Sequence, residues 1–548
     1  MEINLNKKIK NKKYKNGLII LIDAARFDVF SNKESRNYLF PNLSKLIDES
    51  VNEKCVANSK STQFVLPSLF CQSYPLDYNG YDNGIRDRPC SFVELLKESG
   101  YSTYFIGNCN QVGVTNGYYR GFDNIKNTVD FKILMEHRLA RTILPRIKNI
   151  IKNKDKKNVE EYIVSEFGLF LDTLISGIEK FDKILWSKKL SKFNQSLFEG
   201  LKEEKEILIN NPQLIIDKIF KIPPGLYWKF LGQKYPTQKM GYFLFRVGQA
   251  ISWRVRKFID RNPKIFPFNW FGHISVKINS MSQKLIQFFD TLNTRRPWFV
   301  YFHIMDAHDF RDISNPVHYF SRFKFFPKWL WAKLKKYTKR NFLYDSSIMN
   351  IDESLKNLIT KFKNESAYSD TVIMITADHA SSRAHSPKRN LVTKEKFLEM
   401  YSEDIDIPFS IFNTKSIDKK DGLIDTMGMS ATFLEAINFE KKHKSFKGKS
   451  LFLEKRKVVI SEHAGRGSSD VQNNDLYFVA TSENYRLFLT LVSNNLSRIA
   501  FFDLKNDPNE KFNLIKSGKY INEIEFLTKE FIQERKDILD LRKNLQIL

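Results

Sequence analysis

Cysteine is scarce in this chain: four residues in 548, Cys55, Cys71, Cys90 and Cys109, with no two forming a CxxC pair. A structural zinc site is therefore not expected, and no disulfide framework is indicated. Membrane-length apolar runs are missing as well. The apolar run in GLIILIDAARFD (from Gly17) is too short to span a bilayer, is closed by Asp23, and lacks the small-residue cleavage site of a signal peptide. The expectation is a cytoplasmic protein, peripheral at most on the inner face of the cytoplasmic membrane. Acidic residues are in deficit, with Asp+Glu 62 against Lys+Arg 88 and a formal net charge of +26. Such an excess favours nucleic acid, an anionic membrane face or phosphorylated substrates as partners, unless Lys and Asn richness merely reflects genome base composition. No internal repeat or low-complexity tract occurs.

Apolar material is plentiful: 42% of residues are hydrophobic, with 47 Phe and 22 Tyr. Disorder is excluded. At roughly 150 residues per domain the length accommodates three or four domains, or one large α/β domain with an insertion. LIILID (Leu18–Asp23), WFVYFHIMD (Trp298–Asp306) and TVIMITADH (Thr371–His379) are continuous apolar runs, the pattern of strands buried on both faces of a parallel sheet. Each ends in acidic or imidazole side chains, at the sheet edge where α/β proteins bind ligands. FPNLSKLIDESV has helical spacing, and SFVELLKESGYSTYFIGN reads as helix, Gly100 stop and strand.

Residues 131–290 lack strand-like runs and read as a basic helical insertion. It separates the two parts of an α/β domain, 1–130 and 291–440. From 441 to 548, VVISEH, LYFVAT, YRLFLTLV and RIAFFDL predict a small antiparallel sheet closed by an amphipathic helix. The predicted fold is thus α/β: a mainly parallel central sheet, a helical insertion and a small C-terminal α+β subdomain.

Several segments occur in an order that resembles the sulfatase branch of the alkaline-phosphatase superfamily. FPNLSKLIDESV resembles its PNL-x-x-L helix, LPSLFCQSYP the end of its nucleophile helix, and VELLKESGYSTYFIGN its L-x-x-x-G-Y-x-T strand entry. GFDNI, MITADHA, SEDIDIPFSIFN and FFDLKNDPNEKFNL match further family segments. The resemblance covers most of the chain except the insertion, and it implies a metal-dependent hydrolase or transferase of sandwich fold. Two departures stand out. Thr62 falls where sulfatases carry the Cys or Ser that becomes formylglycine, and the Pro and Arg of that motif are absent, with Leu66 at the Arg position. The usual pair of aspartates on the first strand is Asp23-Ala24. Both departures resemble phosphoethanolamine and lipoteichoic-acid transferases, whose nucleophile is a threonine beside one divalent metal.

The resemblance implies Asp23, Thr62, Asp378 and His379 as ligands of one metal ion. Two carboxylates, an imidazole and an alkoxide suit Zn or Mn, with Mg or Ca as the alternatives. Thr62 would be the nucleophile, since a hydroxyl needs a metal or base to attack at neutral pH. Its other readings are a helix N-cap and a register one residue off, which would make Ser61 the nucleophile. Asp23 could instead cap the turn after its strand. His308 resembles the histidine that contacts the transferred group, where an imidazole can donate to a developing anion; its other reading is a satisfied loop histidine. His385 and His463 are further substrate-side candidates. Asp306 could serve a second metal, though the remaining ligands of such a site are not evident. Arg26 and Arg383 could bind phosphate or form salt bridges. The cysteines read as structural.

GYFLFRVGQAISWRVRKF and FFPKWLWAKLKKYTKR mix aromatics with Lys and Arg, a pattern that suits helices lying on an anionic membrane surface. Ordinary helices with aromatic core faces and Lys-rich solvent faces would look alike. No nucleic-acid reader motif is present, so nucleic acid is not expected as a partner. The function this reading favours is transfer or hydrolysis of a phosphate-type ester on a cell-surface glycan or lipid-linked precursor, through a covalent threonine ester. A sulfatase without formylglycine and an inactive membrane-surface scaffold are the alternatives.

Overall fold

The computed structural model describes residues 15–547 apart from 108, 110–111, 113–115, 128–138, 141–142, 145–146, 149–158, 181–187, 239, 263–264, 269–277, 293–294, 314–315, 365–369, 390–398, 415–420, 466–468 and 543–545. Asn108, where the resemblance to sulfatases implies a lysine, lies outside the described residues. Eight strands build the main sheet: β1 (Asn16–Ile22), β2 (Val51–Val56), β3 (Ser102–Gly107), β4 (Asn124–Asn127), β5 (Trp298–Ile304), β6 (Thr371–Thr376), β7 (Asp406–Phe412) and β8 (Ile424–Asp425). Their order is β4-β3-β5-β1-β6-β7-β2-β8. Only β7 runs against the others, pairing antiparallel with both β6 and β2. The central strands β5, β1 and β6 are the three apolar runs, buried along nearly their whole length. Helices cover both faces of a parallel sheet, so every position of its inner strands is apolar rather than every second one.

Local signals place the helices. Ser91 and Glu94 form a reciprocal capping box at the start of Phe92–Glu98, and Gly100 follows with φ +90°, a left-handed residue that ends the helix before β3. The helix Thr62–Cys71 is apolar nearly all round, with eight of its ten residues buried, as expected of a helix enclosed by the core. It packs against Thr426–Ala436.

The inserted region is helical, including Val159–Lys180, Lys188–Asn210 and Pro212–Lys221. These helices share a core of their own around Phe167, Leu201, Leu208, Ile215 and Tyr227. Inside it Lys218 pairs with Glu204, whose carboxylate also accepts from the Tyr227 hydroxyl at 2.6 Å. The C-terminal sheet comprises β9 (Val459–His463), β10 (Leu476–Thr481), β11 (Tyr485–Val492), β12 (Asn495–Asp503) and the two-residue β13 (Gln546–Ile547). Strands β9 to β12 are antiparallel neighbours, and the helix Ile521–Glu534 packs on β10 and β11. Arg486 of β11 reaches Asp406 of β7 at 2.8 Å and Glu510 at 2.9 Å, joining the second sheet to the first.

Among the described residues no helix is long and apolar enough to cross a membrane.

Candidate metal centre

β1, β2, β5 and β6 point the same way, so their C-terminal ends share one edge. Asp23 follows β1, Asp378 and His379 follow β6, and Thr62 opens the helix that follows β2. The topology therefore brings together residues up to 356 positions apart, as from Asp23 to His379.

Their contacts are direct. The Thr62 hydroxyl donates to Asp23 Oδ2 at 3.0 Å and lies 3.3 Å from His379 Nε2. His379 Nε2 is 3.5 Å from Asp23 Oδ1 and 3.6 Å from Asp378 Oδ2. His379 Nδ1 lies 2.7 Å from the Ala380 carbonyl, which can only accept; that contact puts the proton on Nδ1 and leaves the Nε2 lone pair facing the carboxylates. Thr62 is the first helical residue and Ser61 is the N-cap, so the Thr62 side chain serves the cluster rather than the helix end.

Asp23 Oδ1 and Asp378 Oδ2 are buried and accept no hydrogen bond. An orphaned buried carboxylate oxygen is costly, and two that converge on one imidazole lone pair form a ligand set for a cation. The donors present, two carboxylates, an imidazole and a hydroxyl, fit a divalent metal. Bound there, the ion would acidify the Thr62 hydroxyl and polarise an ester oxygen. Burial pushes the Asp23 carboxyl up, but the electrostatic pull of His308, the hydrogen bond from His303 and the pull of His379 outweigh it and hold it at about 2. It stays ionised.

The other oxygen of Asp378 accepts from the Ala24 amide at 3.2 Å. Ala24 adopts φ 62°, a left-handed conformation uncommon for a residue with a Cβ. Tyr344 clamps that turn, its hydroxyl donating to the Ala24 carbonyl and accepting from the Arg26 amide, both at 3.0 Å. Ala24, at the position where the resemblance implies a second aspartate, thus uses its backbone amide to orient Asp378.

Two residues reach the site unforeseen. His303 lies inside β5, fully buried, with Nε2 3.0 Å from Asp23 Oδ2 and Nδ1 2.9 Å from the Tyr301 hydroxyl. Burial and the neighbouring Cys109, Asp378 and Asp23 push the Tyr301 hydroxyl well above its usual range, so it remains a donor. The Tyr301, His303, Asp23 chain then leaves Asp23 Oδ1 free of donors. Cys109 is the second: its thiol, His303 and Asp23 lie within 4.8 Å of one another, beside the Asp23, His308, His379 group. The register that places His303 opposite Leu21 was the available signal, but it needs the strand pairing to be known.

His308 stands at the rim, its ring 6.1 Å from that of His379 and its Nδ1 2.7 Å from Asp309. Burial lowers its basicity, but Asp23 and Asp309 outweigh that and raise it to about 9. Arg383 is exposed and close enough to oppose that rise. His463 ends β9, stacked on Tyr477 at 5.0 Å and on Phe64 of the Thr62 helix at 6.3 Å. Burial, then Lys60, depresses it well below its usual value, so it is neutral. His385 faces a separate cavity of about 370 Å³ shared with Arg26 and Arg340, and its carbonyl accepts from Arg26 at 2.7 Å. Arg26 is committed to Asp28 and to backbone carbonyls, the salt-bridge reading of that residue. Asp306 accepts from the Ile278 amide and lies 3.6 Å from His318.

The fold and this edge of the sheet define an α/β sandwich with a candidate metal centre at the C-terminal ends of its central strands. Residues 15–164 and 226–439, about two thirds of the chain, match the sulfatase family model. The chain belongs to the sulfatase family. No curated protein matches it in sequence. Among solved structures it is similar to the putative sulfatase yidJ from Bacteroides fragilis, at 12% identity and TM-score 0.56 over 97% of this chain and 98% of that one. It is also similar to i-CgsB in complex with k-i-k-neocarrahexaose, at 12% identity and TM-score 0.52 over 95% and 92%. A third is a Bacteroides thetaiotaomicron protein described with the metabolism of multiple glycosaminoglycans, at 12% identity and TM-score 0.51 over 96% of each chain. At these identities the likeness is one of fold.

Proposed function

We propose that this protein is a sulfatase-type hydrolase that works without formylglycine, cleaving a sulfate or phosphate ester carried on a glycan. The contact that carries this reading is the Thr62 hydroxyl, 3.0 Å from Asp23 and 3.3 Å from His379 at the start of a buried helix. Thr62 Oγ1 loses its proton to solvent and attacks the sulfur or phosphorus, the bond from that atom to the glycan oxygen breaks, and protonated His308 donates to the departing alkoxide. Water then attacks the threonine ester at the same sulfur or phosphorus and gives a proton to His308, while the bond to Thr62 Oγ1 breaks and that oxygen takes up a proton from solvent. The glycan is suggested by the fold relatives, one of which holds a carrahexaose.

Thr62 itself favours a second reading: transfer of a phospho-substituent such as phosphoethanolamine or phosphoglycerol to a glycan or lipid-linked acceptor. A formylglycine hydrate can expel sulfate by collapsing to an aldehyde, whereas a threonine ester must be resolved by a second displacement. That two-step route is well suited to phosphoryl groups. Nitrophenyl sulfate, phosphate and phosphodiester, assayed side by side on the metal-loaded protein, decide between the two. Faster sulfate turnover supports the hydrolase, faster diester turnover the transferase. In either case Thr62→Ala is expected to lose several orders of magnitude. Wild-type turnover by Thr62→Ala with loss in Ser61→Ala would move the nucleophile to Ser61.

A further inference from the structure

The helix Met240–Arg261 is barely packed: among its described side chains only Tyr242 and Ile259 are buried. Leu244, Val247, Ile251, Val255 and Phe258 recur at intervals of three and four, so they form one continuous stripe, and all five are exposed, Leu244 by 68%. A monomer in water gains nothing from such a stripe. A second one lies on the helix Phe326–Leu334, where Phe326, Leu330 and Leu334 recur every four residues and Leu334 is 69% exposed.

Both stripes are set in cationic sequence. Residues 218–259 contain nine Lys and Arg and no Asp or Glu; residues 313–344 contain eight and none. Lys257 lies over the Trp253 ring at 4.5 Å and Lys335 over Trp331 at 5.1 Å, with both indoles exposed. Both helices connect to the segment that carries His308. Phe258 packs on Phe266 at 5.9 Å, and Arg311, three residues beyond His308, donates to the carbonyls of Phe266 and Phe268 at 2.9 and 3.3 Å. The second helix follows the same His308 loop through Pro316–Ser321 and Arg322–Phe325.

We propose that these two stripes dock on an anionic lipid surface, the apolar side chains entering the headgroup boundary and the flanking cations meeting lipid phosphates. Charge selects the occupant. A second copy of the chain would set cationic segments against cationic segments, and a nucleic acid has no use for aliphatic rows. A bilayer bearing acidic lipid satisfies both components.

The test is co-sedimentation of the full chain with vesicles of phosphatidylcholine alone and of phosphatidylcholine mixed with phosphatidylglycerol. The wild type is expected to pellet only with the acidic vesicles, and less so as salt rises. The triple variant Leu244→Ser, Ile251→Ser, Phe258→Ser and the double variant Leu330→Ser, Leu334→Ser should each weaken binding by about tenfold or more. Unchanged thermal melts show that the variants fold; should either fail to, Arg254→Glu with Lys257→Glu tests the same face through charge. No pelleting, or equal pelleting with neutral vesicles, overturns the proposal. So does a wild-type dimer in solution that the triple variant converts to monomer. None of these readouts depends on turnover, so the proposal stands or falls separately from the ester chemistry.

Discussion

His303 Nε2 sits 3.0 Å from Asp23 Oδ2, joining a residue inside β5 to the residue that ends β1. Thr62 donates to the same oxygen. With both donors on Oδ2, Oδ1 is left facing His379 and Asp378, so His303 orients a metal ligand without facing the substrate itself.

Replacing His303 by Ala should therefore weaken metal binding by about 10–100-fold, the usual cost of losing a group that orients a ligand. Competition against a chromogenic chelator measures this. His303→Gln, which can still donate to Asp23, should recover part of the loss. Wild-type affinity in His303→Ala would show that Asp23 needs no such support.

One divalent ion per chain is expected from the orphaned oxygens of Asp23 and Asp378. Elemental analysis after loading and desalting should find Zn or Mn near stoichiometry, and Asp378→Ala should lose it. A protein that retains no ion under any loading condition would remove the basis for the centre.

Ala24 occupies left-handed backbone at φ 62°. A Cβ there costs roughly 1 kcal/mol that glycine avoids. Ala24→Gly should leave the melting temperature unchanged or raise it slightly, despite lying beside the metal centre, because the added unfolded-state freedom of glycine offsets part of the gain. Ala24→Val should lower it, since a β-branched side chain tolerates that conformation least.

Arg486 is fully buried, with Glu510 at 2.9 Å and Asp406 at 2.8 Å. Its removal strands the buried Glu510 carboxylate, a loss of about 3–5 kcal/mol for a broken buried pair. Arg486→Met should thus show a clearly lower melting temperature. The double variant Arg486→Met, Glu510→Gln should regain part of it, because an amide has no charge to leave uncompensated.

Much of the architecture is legible in the chain itself. The runs around Ile20, Val300 and Ile373 are apolar at successive positions, which strands covered on both faces require, and β1, β5 and β6 occupy the centre of the sheet. Ser91, Glu94 and Gly100 announce a helix and its end through local chemistry that needs no distant partner. β2 and β8 escaped notice, since VNEKCV has a half-exposed, polar pattern and Ile424–Asp425 is only two residues long.

The strand-end acids and imidazoles are readable from the chain alone. Asp23, Asp378 and His379 interrupt apolar runs, and a polar group at the close of a buried strand is visible without coordinates. Tertiary structure alone decided which side chains meet. His303 and Cys109 are indistinguishable in sequence from ordinary buried residues, and only the β1–β5 pairing and the end of β3 carry them to Asp23. It likewise separated His308 at the rim from His385 in its own cavity, although both follow strand-end motifs. The physical reason is that composition and periodicity report burial and local backbone preference. Contacts between residues hundreds of positions apart depend on strand order, register and side-chain direction, which the packed chain settles together.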